Sequence, residues 1–277
     1  MWQYDFHLFY QAGQAVLAGL SPYTIFDFNP PYPLAVLFAL IAWLPESVAY
    51  WVYTGACLGL MWKVLGKRSL WVVLSFPVWF SLFVGQVDLP LGLLVSWVGF
   101  WGLPLTLIKP QVGLALAPWY LWRMTWKQRG QVLALTSLFL AICFALRPVW
   151  LSEWLAITPS LTQYARRDSN FYWLVPTDWK TMAIVIGGGI ALITSYWLKE
   201  RSRSWVILHL FAPLTNIYSA SILAEWIGPI EAALSWAAIL VVGQIHAGAP
   251  MFVVGVSILL RPAIKQFLER RALISQR

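Results

Sequence analysis

The chain has 277 residues, 60% of them hydrophobic and only 11% charged, with a mean hydropathy of +0.69 and 19 Trp. A soluble domain carries roughly a quarter charged residues, so this composition excludes an ordinary water-soluble fold and indicates an integral membrane protein. The net charge of +8 resides largely in clusters between apolar segments, where membrane orientation accounts for it and no nucleic-acid partner is required.

The first segment, DFHLFYQAGQAVLAGLSPYT at residues 5–24, sets Asp5 ahead of an amphipathic, aromatic-rich stretch that stops at Gly19 and Pro22, and FNPPYP follows at 28–33. Gly and Pro end helical runs for steric reasons, so this segment is expected to lie against the membrane. Beyond it come ten apolar segments, at about 33–44, 48–65, 70–84, 89–107, 110–122, 131–150, 181–198, 204–223, 229–243 and 248–261. A bilayer accepts only helices or closed barrels, and these long runs lack strict alternation. The expected fold is all-α: a polytopic membrane helical bundle forming one domain over 1–277, with about nine crossings and interfacial helices in a first external loop at 5–32. Several segments fall short of the ~20 residues of a straight span and must be tilted, broken or half-inserted.

Basic residues in short loops mark the cytoplasmic side of a multi-pass cell-membrane protein. Arg123, Lys127 and Arg129 form one cluster, Lys199, Arg201 and Arg203 a second, and Arg261, Lys265, Arg270 and Arg271 a third. Five segments separate Asp5 from the first cluster, an odd number, which puts Asp5 outside together with a second external loop at 151–180. On this count Lys63, Lys67 and Arg68 fall outside, against the charge rule, and the turn at Gln86 falls inside. An odd number of segments between the second and third clusters requires one to be broken, at Pro213 or in GQIHAGAP, 243–250. No cleavable signal pattern precedes Asp5. Cys57 and Cys143 lie in apolar segments as small hydrophobes, and GGG at 187–189 reads as close helix packing.

The string D-F-x3-Y-x-A-G-x-A-x-L-x-G-x-S-P-Y followed by F-N-P-P resembles the first external loop of the GT-C class of polytopic glycosyltransferases, and is most similar to glycosyltransferase family 87. The likeness covers the first 120 residues well and the remainder weakly. Its members move a mannosyl or pentosyl unit from a polyprenyl-phosphate donor, and carry a transmembrane helix ahead of the acidic loop. Only MWQY precedes Asp5 here, so a start assigned too late is expected. The resemblance implies a general base at Asp5, because transfer to a hydroxyl needs a group to accept the acceptor proton. It implies cations for the departing lipid phosphate: Lys109 in IKPQVG, with Arg147, Arg166 and Arg167 as further candidates. His7, Tyr10 and Tyr218 would contact substrate. Gln86 in VGQVD matches the family's G-Q followed by a polar residue, whereas in APLTNIYSAS, 212–221, Ser219 stands where an acid or histidine is common.

Each residue also has a plainer reading. Asp5 alone suits an interfacial acid or helix cap, Lys109 a side chain snorkelling to headgroups, and Gln86 a cap. The three histidines, His7, His209 and His246, have no metal-ligand spacing, so neither metal nor cofactor is expected. The partners expected are the polyprenyl-phosphate sugar donor, a lipid or glycan acceptor and membrane lipids. A transporter or lipid flippase, in which Asp5, Lys109 and Arg147 line a path, and an inactive family fragment are the alternatives.

Overall fold

Hydrophobicity without alternation gives helices throughout. The computed structural model describes residues 3–161, 175, 177–212, 218–241 and 249–275, and among these there is no strand. Among the described residues, three stretches are long and apolar enough to cross a membrane: Glu46–Val72, Asp88–Ile108 and Trp126–Leu146. Leu133, Leu138, Ile142 and Leu146 of the last are exposed, an apolar face that suits lipid rather than water. The crossing count of about nine goes beyond these three stretches.

Helix α1 (Tyr4–Leu17) packs along the short α2 (Tyr32–Ala39). Its buried residues, Phe6, Phe9, Tyr10, Ala12 and Gly13, recur at the 3–4 residue spacing of one helical face. Phe6 and Phe9 meet Phe38 and Tyr50 edge-on, with ring centroids 5.2 to 5.7 Å apart. At eight residues α2 rises only ~12 Å, so the apolar segment 33–44 does not run the length of the bundle.

The next run is α3 (Glu46–Leu65). It starts beside α1, where His7 Nδ1 lies 2.6 Å from Glu46 Oε1, and ends near Arg68, whose guanidinium donates to the Glu225 carbonyl at 2.8 Å. Glu225 is also gripped by Arg201 at 2.5 to 2.6 Å. Lys63, Lys67 and Arg68 therefore share an end of the bundle with Arg201, and the expectation that they lie opposite the basic clusters is corrected. The physical reason is that α2, at eight residues, is too short to carry the chain from one end of the bundle to the other.

The chain returns through α4 (Ser69–Val72) and α5 (Phe76–Val84), broken between them where Ser75 is extended and Pro77 opens the new helix. The hydroxyl oxygen of Ser235 in α12 (Pro229–Val241) accepts from the Phe76 N–H at 2.9 Å, so the break has a buried partner. Helix α5 ends at Gly85, whose φ of +80° closes a Schellman cap, the Gln86 N–H bonding the Ser81 carbonyl at 2.8 Å.

The stretch Asp88–Ile108 differs most from a plain span. As a straight α-helix its 21 residues would extend ~31 Å. Instead α6 (Asp88–Val98) stops at Gly99, φ +64°, and the chain folds back as a 3-10 arm, Gly99–Ile108, against α6. A Cβ on Gly102 would lie 3.1 Å from the Val95 Cα, a measure of how closely the arms pack. Asp88 and Lys109 consequently meet at the open end of this hairpin. Helix α7 (Pro110–Arg123) then runs toward the basic end, where Tyr120 donates to the Val95 carbonyl at 3.2 Å and accepts from Arg201 at 3.1 Å.

Helix α8 (Trp126–Leu146) begins with a capping box built by Thr125 and Gln128 and leads to α9 (Trp150–Leu161). Helices α10 (Lys180–Trp197) and α11 (Arg201–Leu210), a second 3-10 segment at Ser219–Trp226, α12 and the long α13 (Ala249–Ser275) complete the bundle. The segment Ser219–Trp226 packs on α6 and α5, with Tyr218 toward Lys109 and Glu225 at the basic end. Pro213 and 243–248, the expected sites of a broken segment, lie outside the described residues, as does most of the loop 151–180 beyond α9.

Candidate functional site

Backbone placement builds the site before any side chain does. The left-handed turn at Gly85 presses on α1 so closely that a Cβ there would sit 2.3 Å from the Phe6 Cβ, and the Gln3 N–H bonds the Phe83 carbonyl at 3.1 Å. Asp5, one residue before Phe6, is thereby carried to Gln86, one residue after Gly85. The hairpin delivers Asp88 and Lys109 to the same place.

The Lys109 ammonium donates to the Gln86 Oε1 at 2.8 Å and pairs with the Asp88 Oδ2. It also lies 4.8 Å from the centre of the Tyr218 ring, close enough for a cation–π contact, and Tyr218 stacks on Phe80. With its oxygen taken by Lys109, Gln86 also lies beside Asp5, whose carboxyl it helps to draw down. The result is a chain of contacts, Asp5 to Gln86 to Lys109 to Asp88. Asp88 is wholly buried and the Lys109 side chain only 12% exposed, so the pair is shielded from water and salt. Burial pushes the Asp5 carboxyl above its ordinary 3.8; Gln86 and Lys109 draw it back, while Asp88 and Asp27 add repulsion that raises it further. A partly desolvated carboxylate beside a cation and an amide is suited to proton transfer.

The remaining expected residues are distributed differently. His7 faces Glu46 on the exposed side of α1. The Tyr10 hydroxyl is buried, donating to the Leu44 carbonyl at 2.8 Å and accepting from Gln14 at 3.0 Å, an arrangement that ties α1 down. Arg147 belongs to a separate cluster: its guanidinium forks onto Glu153 at 2.5 and 2.6 Å, and Glu153 also accepts from Ser21 at 3.0 Å. This fork holds the Glu153 carboxyl below its ordinary range. Arg166 and Arg167 lie outside the described residues. Of the expected set, Asp5, Lys109 and Tyr218 converge, and Gln86 joins them from the side to which the segment count had not assigned it.

Asp88 was not singled out from the sequence. It precedes an apolar run that Lys109 follows, which reads as two charges at opposite ends of one span. The signal that could have brought them together was internal to the run, where Gly99, Gly102 and Pro104 fall within six residues. No group of three or more potential metal ligands occurs among the described residues. Compared with protein-family models, with curated proteins and with solved structures, the chain matches none of them.

Proposed function

We propose that this protein is a multi-pass membrane glycosyltransferase that moves a mannose-like or pentose-like sugar from a polyprenyl-phosphate donor to a hydroxyl of a lipid or glycan acceptor, at the outer face of the cell membrane. The observation that carries the reading is the meeting of Asp5, Gln86 and Lys109. They come from separate stretches, each resembling a different motif of the same family; Lys109 hydrogen-bonds Gln86, and both lie close enough to Asp5 to draw its carboxyl's pKa down.

The chemistry follows from the roles these groups suit. Asp5 accepts the acceptor's proton as its oxygen attacks the anomeric carbon from the side opposite the phosphate, giving inversion; the carbon–oxygen bond to phosphate breaks, and its electron pair leaves with the lipid phosphate. Lys109 offers that phosphate a charge-assisted hydrogen bond. An apolar groove of about 240 Å³ begins at Val87 and Ile108, the neighbours of Asp88 and Lys109, and continues along Leu34, Phe38 and Tyr53. Its position suits the first units of an isoprenoid chain. The basic end of the bundle, with Arg68, Arg123 and Arg201, is the cytoplasmic end under the charge rule, so Asp5 belongs to the opposite face.

A second reading, a transporter, draws support from the buried Asp88–Lys109 pair at the end of a folded-back hairpin. Transfer of radiolabelled sugar from synthetic polyprenyl phosphate in membranes separates the two. The wild type should transfer label, and Asp5→Asn should transfer about a hundred- to ten-thousand-fold less while still retaining donor. A mutant keeping more than about a third of wild-type transfer excludes Asp5 as the base; a wild type that moves lipid or solute across vesicles without transfer favours the transporter.

A further inference from the structure

We propose that Asp88 is the positioning residue of this site: its carboxylate holds the Lys109 ammonium against Gln86 and the Tyr218 ring and so fixes a cation placed to meet the donor phosphate. This rests on the glycosyltransferase reading for the identity of the ligand, though not for the contact itself.

A lysine side chain is long and carries a large rotamer entropy, so an unassisted Lys109 would sample many directions. Here two of its three ammonium protons are committed, one to Asp88 Oδ2 and one to Gln86 Oε1, and the Tyr218 face closes a flank at 4.8 Å. The third proton is left for a ligand oxygen. Gln86 and Lys109 both act on the Asp5 carboxyl, so holding the ammonium against Gln86 also keeps that cation beside the base.

The pair is not built for stability alone. Asp88 is wholly buried, yet its Oδ1 accepts no hydrogen bond from any described residue. A buried ion pair offsets its desolvation only when the remaining lone pairs are satisfied, and here one of them is not. The hairpin adds to this, because only the reversal at Gly99 brings position 88 to position 109.

The test uses the purified full chain in four variants, Asp88→Asn, Asp88→Glu, Lys109→Gln and the double Asp88→Asn/Lys109→Gln, with a fluorescent isoprenoid monophosphate as probe. Asp88→Asn should weaken probe binding about tenfold or more, the scale of one charge-assisted hydrogen bond. Because Asp88 acts through Lys109, the double variant should bind no worse than Lys109→Gln alone, and Asp88→Glu should recover part of the affinity. Additive losses, or full binding by Asp88→Asn, would overturn the proposal. Reductive methylation of Lys109, read by mass spectrometry, gives a second readout independent of the ligand: release from Asp88 should speed it at least about threefold. Equal rates in wild type and Asp88→Asn would also overturn it. Should Asp88→Asn not fold, Asp88→Glu decides, its displaced carboxylate giving faster labelling than wild type; an unchanged rate refutes the role. A wild type that binds no isoprenoid phosphate defeats the glycosyltransferase reading, and the labelling rates still judge Asp88.

Discussion

Replacing Gly85 by alanine should cost both activity and stability, and the structure gives the size of both effects. The residue has φ +80°, a region that costs an L-residue ~1–2 kcal/mol. Its new Cβ would begin 2.3 Å from the Phe6 Cβ and 3.1 Å from the Phe6 Cα. Reaching an ordinary contact near 3.4 Å or beyond requires α1 and the turn to part by more than about 1 Å, and overpacking of this kind costs ~1–3 kcal/mol. The summed destabilisation is ~2–5 kcal/mol. The same displacement separates Asp5 from Gln86, and a misplacement of about 1 Å at a reacting group costs on the order of a hundredfold in rate. Gly59→Ala in α3 is the control, since its Cβ would meet nothing within 4 Å. Thermal unfolding in detergent and radiolabelled sugar transfer should be read on the same preparations. Gly85→Ala with transfer within threefold of wild type would refute the argument that the turn at Gly85 sets the position of Asp5.

Further expectations follow from the same contacts. Gln86→Leu removes an amide that draws the Asp5 carboxyl down, so the acid limb of the pH–rate profile, set by loss of the proton from a base already held above 3.8, should move to higher pH; a limb that stays or moves down would contradict the link. Stability responds with the opposite sense to a paired acid: a carboxyl raised in the fold favours folding at low pH, and that contribution is lost as pH rises through the raised value. Arg147→Gln should cost ~0.5–1.5 kcal/mol at neutral pH and leave donor binding intact. Because Glu153 is held below its ordinary 4.5 in the fold, the pair's contribution is present above that value and lost as pH falls through the depressed one, and the variant should lack this acid-side loss; a tenfold loss of donor binding would return Arg147 to the phosphate. For orientation, single cysteines at Thr24 and at Lys67, in a chain lacking Cys57 and Cys143, should label with an impermeant thiol reagent from outside and only after permeabilisation, respectively. Labelling of Lys67→Cys from outside would overturn the assignment of the basic end to the cytoplasm.

The all-helical character was legible because apolar runs without a period of two leave little else in a bilayer. What the runs could not show was which of them are whole. The segment 33–44 and the segment 89–107 look alike in hydropathy, yet the first is a short α2 against α1 and the second a hairpin. The length of α6 is set by the left-handed Gly99, and the start of α3 by Pro45, neither of which alters average hydrophobicity. These two errors cancel in the parity of Lys109 and Asp5 but not in that of Lys67 or Gln86, which is why the base and the cation were assigned to one side while the amide that joins them was not. The charge rule held the correction in plain view, since Lys63, Lys67 and Arg68 violate it only if 33–44 spans. The site has a similar asymmetry. Asp5 and Lys109 stand out as isolated charges at segment ends, whereas Asp88 gains meaning only from the reversal at Gly99. A charge at the edge of an apolar run is therefore ambiguous until the run's own glycines are weighed: with Gly99 and Gly102 at its middle, the run 88–109 brings its terminal charges together, and a pair that a straight helix would hold ~31 Å apart becomes the buried centre of the site.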